Sequence, residues 1–426
     1  MTVRVLCAGD IHIGRQTSKT HQQYRTADAW TAIVDLALRE QVDLVVISGD
    51  MIDKVGKSYE SRGPLAAGLQ RLKDAAIDVV AVTGNHDHDV LASIAGQPGF
   101  EHLRLLGIGE KWEQFTLRRD GVDVLHVLGW SFAHEHVDVS PLPTVPHIER
   151  DDLPVLGLLH AEVDVASSRY APASLSHFRG HDVDFWLLGH IHKPWHYVGN
   201  NVLYPGSPYA MDPGEPGVHG AWMLTLDYGK APDVTLIPLS PVEYRTVVID
   251  VSGLTDEVHF GNIVHDALTR DAEATTAQHD ERLRELSIRI HVVGESTDHA
   301  NVDRWLSRFQ QDTDFSASRL PMVIDKVSNS VRPPMQLREL AAGNGPAAEL
   351  ASLILALEQE TLPDPYADFV GELVGDLNQV SDHSNFSQLR DPDSPLDLAP
   401  AAVRTMVRDR SWALLSALIG TRDDAR

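Results

Sequence analysis

The chain has a single cysteine among 426 residues, and it has no long uninterrupted apolar run. One cysteine excludes an intramolecular disulfide, and Cys7, inside the first apolar run, is expected to pack as a small buried hydrophobe. A membrane helix needs about 18 consecutive apolar residues, and a signal peptide needs a charged start and an apolar centre. Because neither pattern is present, we expect a cytoplasmic protein that does not enter the membrane.

Positive charge is also scarce, because 36 Lys and Arg stand against 61 Asp and Glu, for a net charge of −25. Nucleic-acid phosphates are bound by Lys and Arg, so this balance by itself argues against a nucleic-acid partner. Basic residues nevertheless gather in the loop after His12, which includes Arg25, and in the loop after Asp50, which includes Arg62. We predict phosphate contacts there, although each residue could equally be an ordinary solvated side chain. The predicted nucleic-acid-binding residues are Arg15, Lys19, Lys54 and Lys57.

Five apolar runs each lead directly into side chains that can bind a metal ion. The runs are VRVLCAG, VDLVVISG, IDVVAVTG, PVLGLLH and VDFWLLGHIH. Short runs rich in Val, Ile and Leu and bounded by Gly or Asp are typical of buried strands. In sheets flanked by helices, ligands collect beyond the carboxyl ends of the strands. We therefore expect one metal centre, with the candidate ligands Asp10, His12, Asp50, Asn85, His160, His190 and His192.

The chemistry of these side chains indicates a phosphoesterase. Imidazole, carboxylate and amide ligands without a thiolate suit Mn²⁺, Fe²⁺ or Zn²⁺ better than Ca²⁺. Two such ions can hold a phosphate and lower the pKa of the attacking water. Asp10 and His12 are one residue apart, so an extended backbone would direct both side chains to the same side.

A proton donor is predicted next to one ligand. His86 directly follows Asn85, and we predict that it is the general acid, with Asp87 orienting its ring. A lone D-x-H or H-x-H triplet is weak evidence in a chain with 22 histidines. Five such elements in order, each after an apolar run, favour a two-metal site.

The pattern along the chain predicts three regions and an α/β fold. Helical segments separate the first three apolar runs, which predicts parallel strands joined by right-handed crossovers. Shorter strands with turns follow, so residues 1–240 are expected to form a β-sandwich flanked by helices. Residues 241–332 are expected to form a small α+β cap domain, and residues 333–426 a helical region. The apolar stripe of the last helix fits core packing better than a partner surface.

The motifs DIHIG, SGD, GNHD, LLHAEV, LLGHIH and YPGSP occur in this order. In these motifs and their order, the sequence resembles the calcineurin-like metallophosphoesterases, specifically the SbcD-type DNA-repair exonuclease subunits. The resemblance is close over about residues 1–245. The resemblance implies two Mn²⁺ ions and DNA cleavage by 3′-to-5′ exonuclease and endonuclease activity. It also implies an SbcC-like coiled-coil ATPase bound by the C-terminal helices. It places one ion on Asp10, His12, Asp50 and His192, and the other on Asp50, Asn85, His160 and His190.

One position departs from this family pattern. Some members have a histidine three residues after the bridging aspartate, where this chain has Asp53. The balance between exonuclease and endonuclease activity therefore stays open. A phosphodiesterase of small nucleotides and a non-catalytic interaction module with the same fold are the alternative hypotheses. The partners that we consider are DNA, the ATPase and a second copy of the chain.

Overall fold

The computed structural model describes residues 2–18, 23–53, 58–149, 151–165, 168–276, 282–312, 320–382 and 398–423. The chain divides into two units. The first comprises residues 1–246, 271–289 and 314–325, and the second comprises residues 247–270, 290–313 and 326–426. The three domain boundaries expected from the sequence stay predictions.

The first six-stranded sheet has the order β12-β11-β1-β2-β3-β4. Its central strands are parallel, with Val5 of β1 opposite Leu44 of β2 and Val46 of β2 opposite Val80 of β3. β11 closes one side by running antiparallel to β1. The strands are β1 (Val3–Ala8), β2 (Leu44–Ile47), β3 (Asp78–Ala81), β4 (Leu103–Leu105), β11 (Gly220–Leu226) and β12 (Asp233–Pro238).

The second six-stranded sheet has the order β5-β6-β7-β8-β10-β9. Here β6, β7 and β8 are parallel, with Leu158 of β7 opposite Leu187 of β8. The strands are β5 (Trp112–Arg119), β6 (Val122–Trp130), β7 (Val155–His160), β8 (Phe185–Gly189), β9 (Trp195–Tyr197) and β10 (Val202–Tyr204). Most of these segments are rich in β-branched and other apolar side chains, which suit a pleated, buried surface.

Alternation along β1 shows how the layers form. Val5 and Cys7 belong to the apolar cluster shared by the two sheets, so Cys7 packs as predicted. Leu6 instead packs in a second cluster with Trp30 and other helix residues. The helices of the first unit that lie between these strands are α1 (Thr26–Glu40), α2 (Ser58–Asp74) and α3 (Val90–Ile94). The predicted sandwich of two mixed sheets flanked by helices is confirmed.

A third sheet follows, with the order β13-β14-β15. Its strands are β13 (Val242–Asp250), β14 (Glu285–Glu295) and β15 (Met322–Arg332), and helices α4 (Glu257–Thr276) and α5 (His299–Asp312) alternate with them. This is the α+β pattern expected from the sequence.

The described residues after β15 include four helices: α6 (Leu337–Ala341), α7 (Pro346–Leu357), α8 (Tyr366–Asp382) and α9 (Pro400–Asp423). Most of the apolar stripe of α9 is buried or half-buried, whereas Met406 is exposed. Trp412 and Leu415 pack with Ile354 of α7, and Val403 packs with Val370 of α8. In the part of the chain that the structure describes, we find no helix with the length and apolarity needed to cross a membrane.

Candidate metal centre

The seven predicted ligands come together from both sheets. Loops after β1, β2 and β3 carry four of them, and the other three lie at the end of β7 and just after β8. Parallel strands bring their carboxyl ends to the same edge of a sheet, which explains the convergence. The four from the first sheet are Asp10, His12, Asp50 and Asn85, and the three from the second are His160, His190 and His192.

Short distances join the ligand atoms. His12 Nε2 lies 3.1 Å from His192 Nε2. Asn85 Oδ1 lies 2.9 Å from His160 Nε2 and 3.3 Å from His190 Nδ1. The ligand atoms of Asp10, His12 and His192 lie within 4.8 Å of one another, and the same limit holds for Asp10, Asp50 and His160. A third such group comprises His12, Asp50 and His86. The histidine ligands thus form two neighbouring groups, His12 with His192 and His160 with His190, and the Asp10 and Asp50 carboxylates each lie near both groups.

The donor atoms fit divalent cations. Asp10 Oδ2 is buried, and among the described residues it has no hydrogen-bond partner. A buried carboxylate oxygen without a partner is costly, so such an atom points to a cation. Two imidazole nitrogens only 3.1 Å apart also need a proton or a cation between them. Oxygen and nitrogen donors without a thiolate suit the metals expected from the sequence.

The backbone at the centre is strained. Asp10, His12, Asp50 and His190 have positive φ values of 48°, 49°, 49° and 95°. Such conformations cost non-glycine residues about 1–3 kcal/mol each and cluster at functional sites. The expectation that Asp10 and His12 lie on extended backbone is therefore wrong, because both adopt left-handed conformations in the loop after β1.

Glycines allow the loops to approach this closely. A Cβ on Gly84 would lie 2.2 Å from Asp50 Oδ1, and one on Gly189 would lie 2.0 Å from the Ser48 carbonyl oxygen. Any side chain at either position would therefore push the ligand loops apart.

An oxygen atom lies behind the outer nitrogen of three of the ligand histidines, and in two of them it is within hydrogen-bond distance. His192 Nδ1 lies 2.7 Å from Glu215 Oε1, and His160 Nδ1 lies 3.0 Å from the Ser48 carbonyl oxygen. His12 Nδ1 lies 3.6 Å from Asp53 Oδ2, which is longer than a hydrogen bond. Glu215 was missed in the sequence because it lies in the Pro- and Gly-rich stretch MDPGEPG, which predicts only turns.

These neighbours shift the pKa values of the buried groups. Burial raises the pKa of Asp10. Burial would also raise the pKa of Asp50, but the charges of His160 and His12 outweigh it and hold that pKa well below its usual range. Burial opposes protonation of His160, yet the Asp50 carboxylate raises its pKa to about 9.

The pKa values of His192 and Glu215 are shifted in the same way. Against the effect of burial, the Glu215 carboxylate raises the pKa of His192 to about 9, and His192 in turn lowers the pKa of Glu215 to about 2. In the metal-free protein, protons thus occupy nitrogens that a cation would otherwise bind.

His86 lies beside the ligands. Its backbone N–H donates to Asp50 Oδ1 at 2.9 Å, and its half-buried ring meets the His12 ring edge-on with centroids 4.7 Å apart. Orientation of the His86 ring by Asp87 stays a prediction. The Asp87 carboxylate accepts from the N–H groups of Gly84 at 2.8 Å and Met51 at 2.7 Å, so it ties the loops after β2 and β3 together.

Of the four predicted phosphate-binding residues, only Arg15 lies in the described part of the chain. Its backbone N–H donates to the His12 carbonyl, and its positive charge opposes protonation of His192. Its Nη2 lies 4.0 Å from Asp212 Oδ2. Lys19, Lys54 and Lys57 lie outside the described residues. Phosphate binding by all four stays a prediction.

An aromatic side chain that was not singled out from the sequence covers one ligand. The Tyr170 ring lies over His190, with centroids 4.4 Å apart and planes inclined by 32°. Tyr170 comes from a loop without an apolar run, so its position depends on tertiary packing. It limits the orientations open to the His190 ring.

Comparison with known proteins agrees with this geometry. Residues 3–194 match the calcineurin-like phosphoesterase family. The chain is 25% identical over 208 residues to the uncharacterised metallophosphoesterase YhaO of Bacillus subtilis, covering 46% of this chain and 48% of that protein. It is 26% identical over 229 residues to the DNA double-strand break repair protein Mre11 of Saccharolobus solfataricus, covering 49% and 55%.

A third relative belongs to a nuclease. The chain is 24% identical over 285 residues to one of the subunits of the nuclease SbcCD of Rhodobacter capsulatus, covering 54% of this chain and 68% of that protein. The chain spans about half the length of the first two relatives. Residues 3–194 therefore form a calcineurin-like metallophosphoesterase domain.

Proposed function

We propose that the chain is a metal-dependent phosphodiesterase that cleaves DNA as a nuclease subunit in cytoplasmic DNA repair. The observation that carries this proposal is that seven nitrogen and oxygen ligands lie close together, and that Asp10 Oδ2 among them is buried without a hydrogen-bond partner in the described residues. Two divalent ions, most suitably Mn²⁺, would hold the phosphate and lower the pKa of the attacking water. By resemblance, one ion would lie on Asp10, His12, Asp50 and His192, and the other on Asp50, Asn85, His160 and His190.

The chain's own residues supply positioning and proton transfer. Asp50 is held by the His86 N–H, and Asp87 fixes the two loops that carry Asp50 and Asn85. His86 is half-buried, so its ring can meet a substrate, and we assign it the role of donating a proton to the departing oxygen. Arg15, whose charge reaches His192, would attract the phosphate.

DNA is the substrate class that we favour. The names of two relatives, a double-strand break repair protein and a nuclease subunit, support it. The net charge of −25 favours the second candidate, a phosphodiesterase of small nucleotides. Both candidates use the same metal centre, so the substrate must be decided by experiment.

The role of His86 can be tested with two leaving groups. We expect His86→Ala to slow Mn²⁺-dependent DNA cleavage by about 10²–10⁴-fold, because a general acid contributes that much when the leaving oxygen is basic. Bis(p-nitrophenyl) phosphate should be affected much less, because p-nitrophenolate leaves without a proton. The exposed His177 provides a matched control, and His177→Ala should cleave both substrates at the wild-type rate. Equal losses on both substrates would contradict proton donation by His86.

Salt separates the two substrate classes. Binding through several DNA phosphates weakens steeply as salt rises, whereas a small nucleotide loses little affinity. We expect KM for single- and double-stranded DNA to rise steeply with salt. If wild-type protein with Mn²⁺ and its ATPase partner cleaves small diesters but no DNA, the nuclease proposal is wrong.

The C-terminal helical region, residues 333–426, is the proposed binding region for an SbcC-like ATPase. Three exposed apolar side chains lie on α9: Met406 (38% exposed), Leu414 (59%) and Leu418 (39%). They recur at multiples of four residues, so they share one face of the helix. Exposed apolar side chains grouped on one face are typical of protein interfaces.

The partner proposal can be tested by changing this face of α9. The double substitution Leu414→Glu and Leu418→Glu should abolish co-purification with the ATPase and leave cleavage of a small diester unchanged. Val258→Glu, at another exposed apolar position, is the control and should retain binding. Binding that survives the double substitution would contradict this surface, and a dimer in sedimentation that depends on it would indicate a second copy instead.

A further inference from the structure

The outer nitrogens of three ligand histidines face different acceptors. His192 Nδ1 faces a carboxylate oxygen of Glu215 at 2.7 Å. His160 Nδ1 faces the neutral Ser48 carbonyl oxygen at 3.0 Å. This difference matters because the acceptor behind an imidazole fixes its tautomer and changes its basicity as a metal ligand.

Glu215 is a built part of the site. It is 7% exposed, and its second oxygen accepts from Ser207 Oγ at 2.9 Å and from the Met211 N–H at 2.8 Å. Ser207 is itself fixed, because its carbonyl lies 2.8 Å from His219 Nδ1. The carboxylate therefore cannot turn away from His192. It keeps a proton on His192 Nδ1 and leaves Nε2 directed at the His12 ring, 3.1 Å away.

The partner histidine has the same kind of neighbour. Asp53 is 6% exposed, and its carboxylate lies 3.6 Å from His12 Nδ1, close enough for electrostatic attraction. Both imidazoles of this group thus have an anion behind them. The Asp53 position is the one that departs from the family pattern.

The outer nitrogen of His160 faces a neutral group, although its other nitrogen, Nε2, lies 3.4 Å from a carboxylate oxygen of the ligand Asp50. Behind His160 lies the Ser48 carbonyl. His190 presents Nδ1, rather than Nε2, to Asn85, and its ring lies against Tyr170. A neutral acceptor polarises an imidazole less than a carboxylate does, because charge-assisted hydrogen bonds are roughly twice as strong as neutral ones.

We infer that the two metal positions are unequal, and that Glu215 and Asp53 are positioning residues that make the His12–His192 position bind its ion more tightly than the His160–His190 position. This inference rests on the proposed metal-dependent function. It assigns a role to Glu215, which lies outside the ligand motifs. It also assigns a role in metal binding to Asp53, which stands where some family members have a histidine.

The test is a titration of the metal-free, full-length protein with Mn²⁺. Calorimetry and electron paramagnetic resonance monitor the binding. We expect wild type to bind two ions in two steps, with an isolated Mn²⁺ signal first and a spin-coupled pair second. Glu215→Gln should weaken the tighter step about 10–100-fold, the usual effect of losing such an acceptor, and leave the weaker step unchanged. The exposed Glu149 provides the control, and Glu149→Gln should match wild type.

Three further variants assign the two binding steps to metal positions and protect the test against misfolding. His192→Ala should remove the tighter step, whereas His190→Ala should retain it. If Glu215→Gln unfolds in a metal-free thermal scan, Asp53→Asn takes its place and should weaken the same step by a smaller factor.

Three outcomes would overturn the inference: two equal steps in wild type, weakening of both steps alike by Glu215→Gln, or loss of the weaker step in His192→Ala. If wild type binds no Mn²⁺, Zn²⁺ or Fe²⁺ at all, the proposed function itself fails, which is a different result.

Discussion

The ligand loops of the first unit and the C-terminal helices of the second unit are built in opposite ways. The loops hold buried charged groups on strained backbone, with Asp10, His12 and Asp50 all at positive φ and almost fully buried. The helices bury apolar residues such as Trp412 and Leu415 in ordinary clusters. The difference shows that buried charge and backbone strain are concentrated at the metal centre, where a cation would offset the charge, whereas apolar packing contributes most to the helices.

The substitution with the largest expected effect removes the Asp50 carboxylate, which lies near both groups of ligands. Asp50→Asn should reduce phosphodiesterase activity on the order of 10⁴-fold, because Asp50 neighbours both groups of ligands and metal assistance is worth several kcal/mol. The check is kcat/KM with saturating Mn²⁺. Asp123→Asn makes the same chemical change on an exposed strand residue that pairs with Arg118. If the Asp50 variant kept near wild-type activity, the metal centre would lie elsewhere.

The next largest effect is expected in the C-terminal helices. Trp412→Ala should lower the free energy of unfolding of the second unit by about 3–5 kcal/mol, the usual cost of emptying a buried aromatic site. It also removes the stacking of the Arg332 guanidinium over the indole, 4.1 Å from the ring centroid. Denaturant unfolding measures the change, and basal diesterase activity should persist. Leu414→Ala on the same helix should change stability little, because Leu414 is exposed.

Protons should compete with metal ions at the centre. The pKa values of His160 and His192 are about 9, above their ordinary value, so both histidines are protonated at neutral pH in the metal-free protein. Apparent Mn²⁺ affinity should rise about tenfold per pH unit for each proton displaced, and stop rising above about pH 9. Calorimetry in buffers of different ionisation enthalpy counts the protons released. Affinity that does not depend on pH between 6.5 and 9 would contradict this competition.

The same shifts act on stability with a definite sign. A histidine with a raised folded pKa stabilises the metal-free fold fully below its unfolded pKa of about 6.5, and loses that contribution as pH rises through 9. The melting temperature of the metal-free protein should therefore fall across this range. Saturating Mn²⁺ should reduce the fall, because the metal replaces the protons.

The sequence predicted the parts of this comparison that local chemistry determines. Short apolar runs predicted β1, β2, β3, β7 and β8, and the side chains at their ends predicted the seven residues that come together. It could not predict Glu215 or Tyr170, because no apolar run leads to them and only tertiary packing brings them to His192 and His190. The left-handed backbone at Asp10 and His12 was also hidden, since residue spacing predicts side-chain direction only on regular backbone.

The substitution with the smallest expected effect, Asp10→Asn, tests whether the buried charge of the metal centre lowers the free energy of unfolding. Burial raises the pKa of Asp10, so its charged form destabilises the metal-free fold at neutral pH, and Asp10 Oδ2 finds no partner among the described residues. Asp10→Asn retains an oxygen for the His190 N–H and removes the charge. With a chelator present, we expect it to raise the free energy of unfolding by about 1 kcal/mol, since an unpaired buried polar group costs about 1–3 kcal/mol.

The order should reverse when metal is added. Wild type should gain stability with Mn²⁺ through mass action, and Asp10→Asn should gain much less because it lacks a ligand. Thermal unfolding of both proteins with chelator and with saturating Mn²⁺ gives the four values needed, and Asp123→Asn controls for loss of charge. If Asp10→Asn is less stable than wild type under both conditions, the Asp10 carboxylate supports the fold by itself. The contrast between a metal centre that costs stability and helices that supply it would then not hold at this residue.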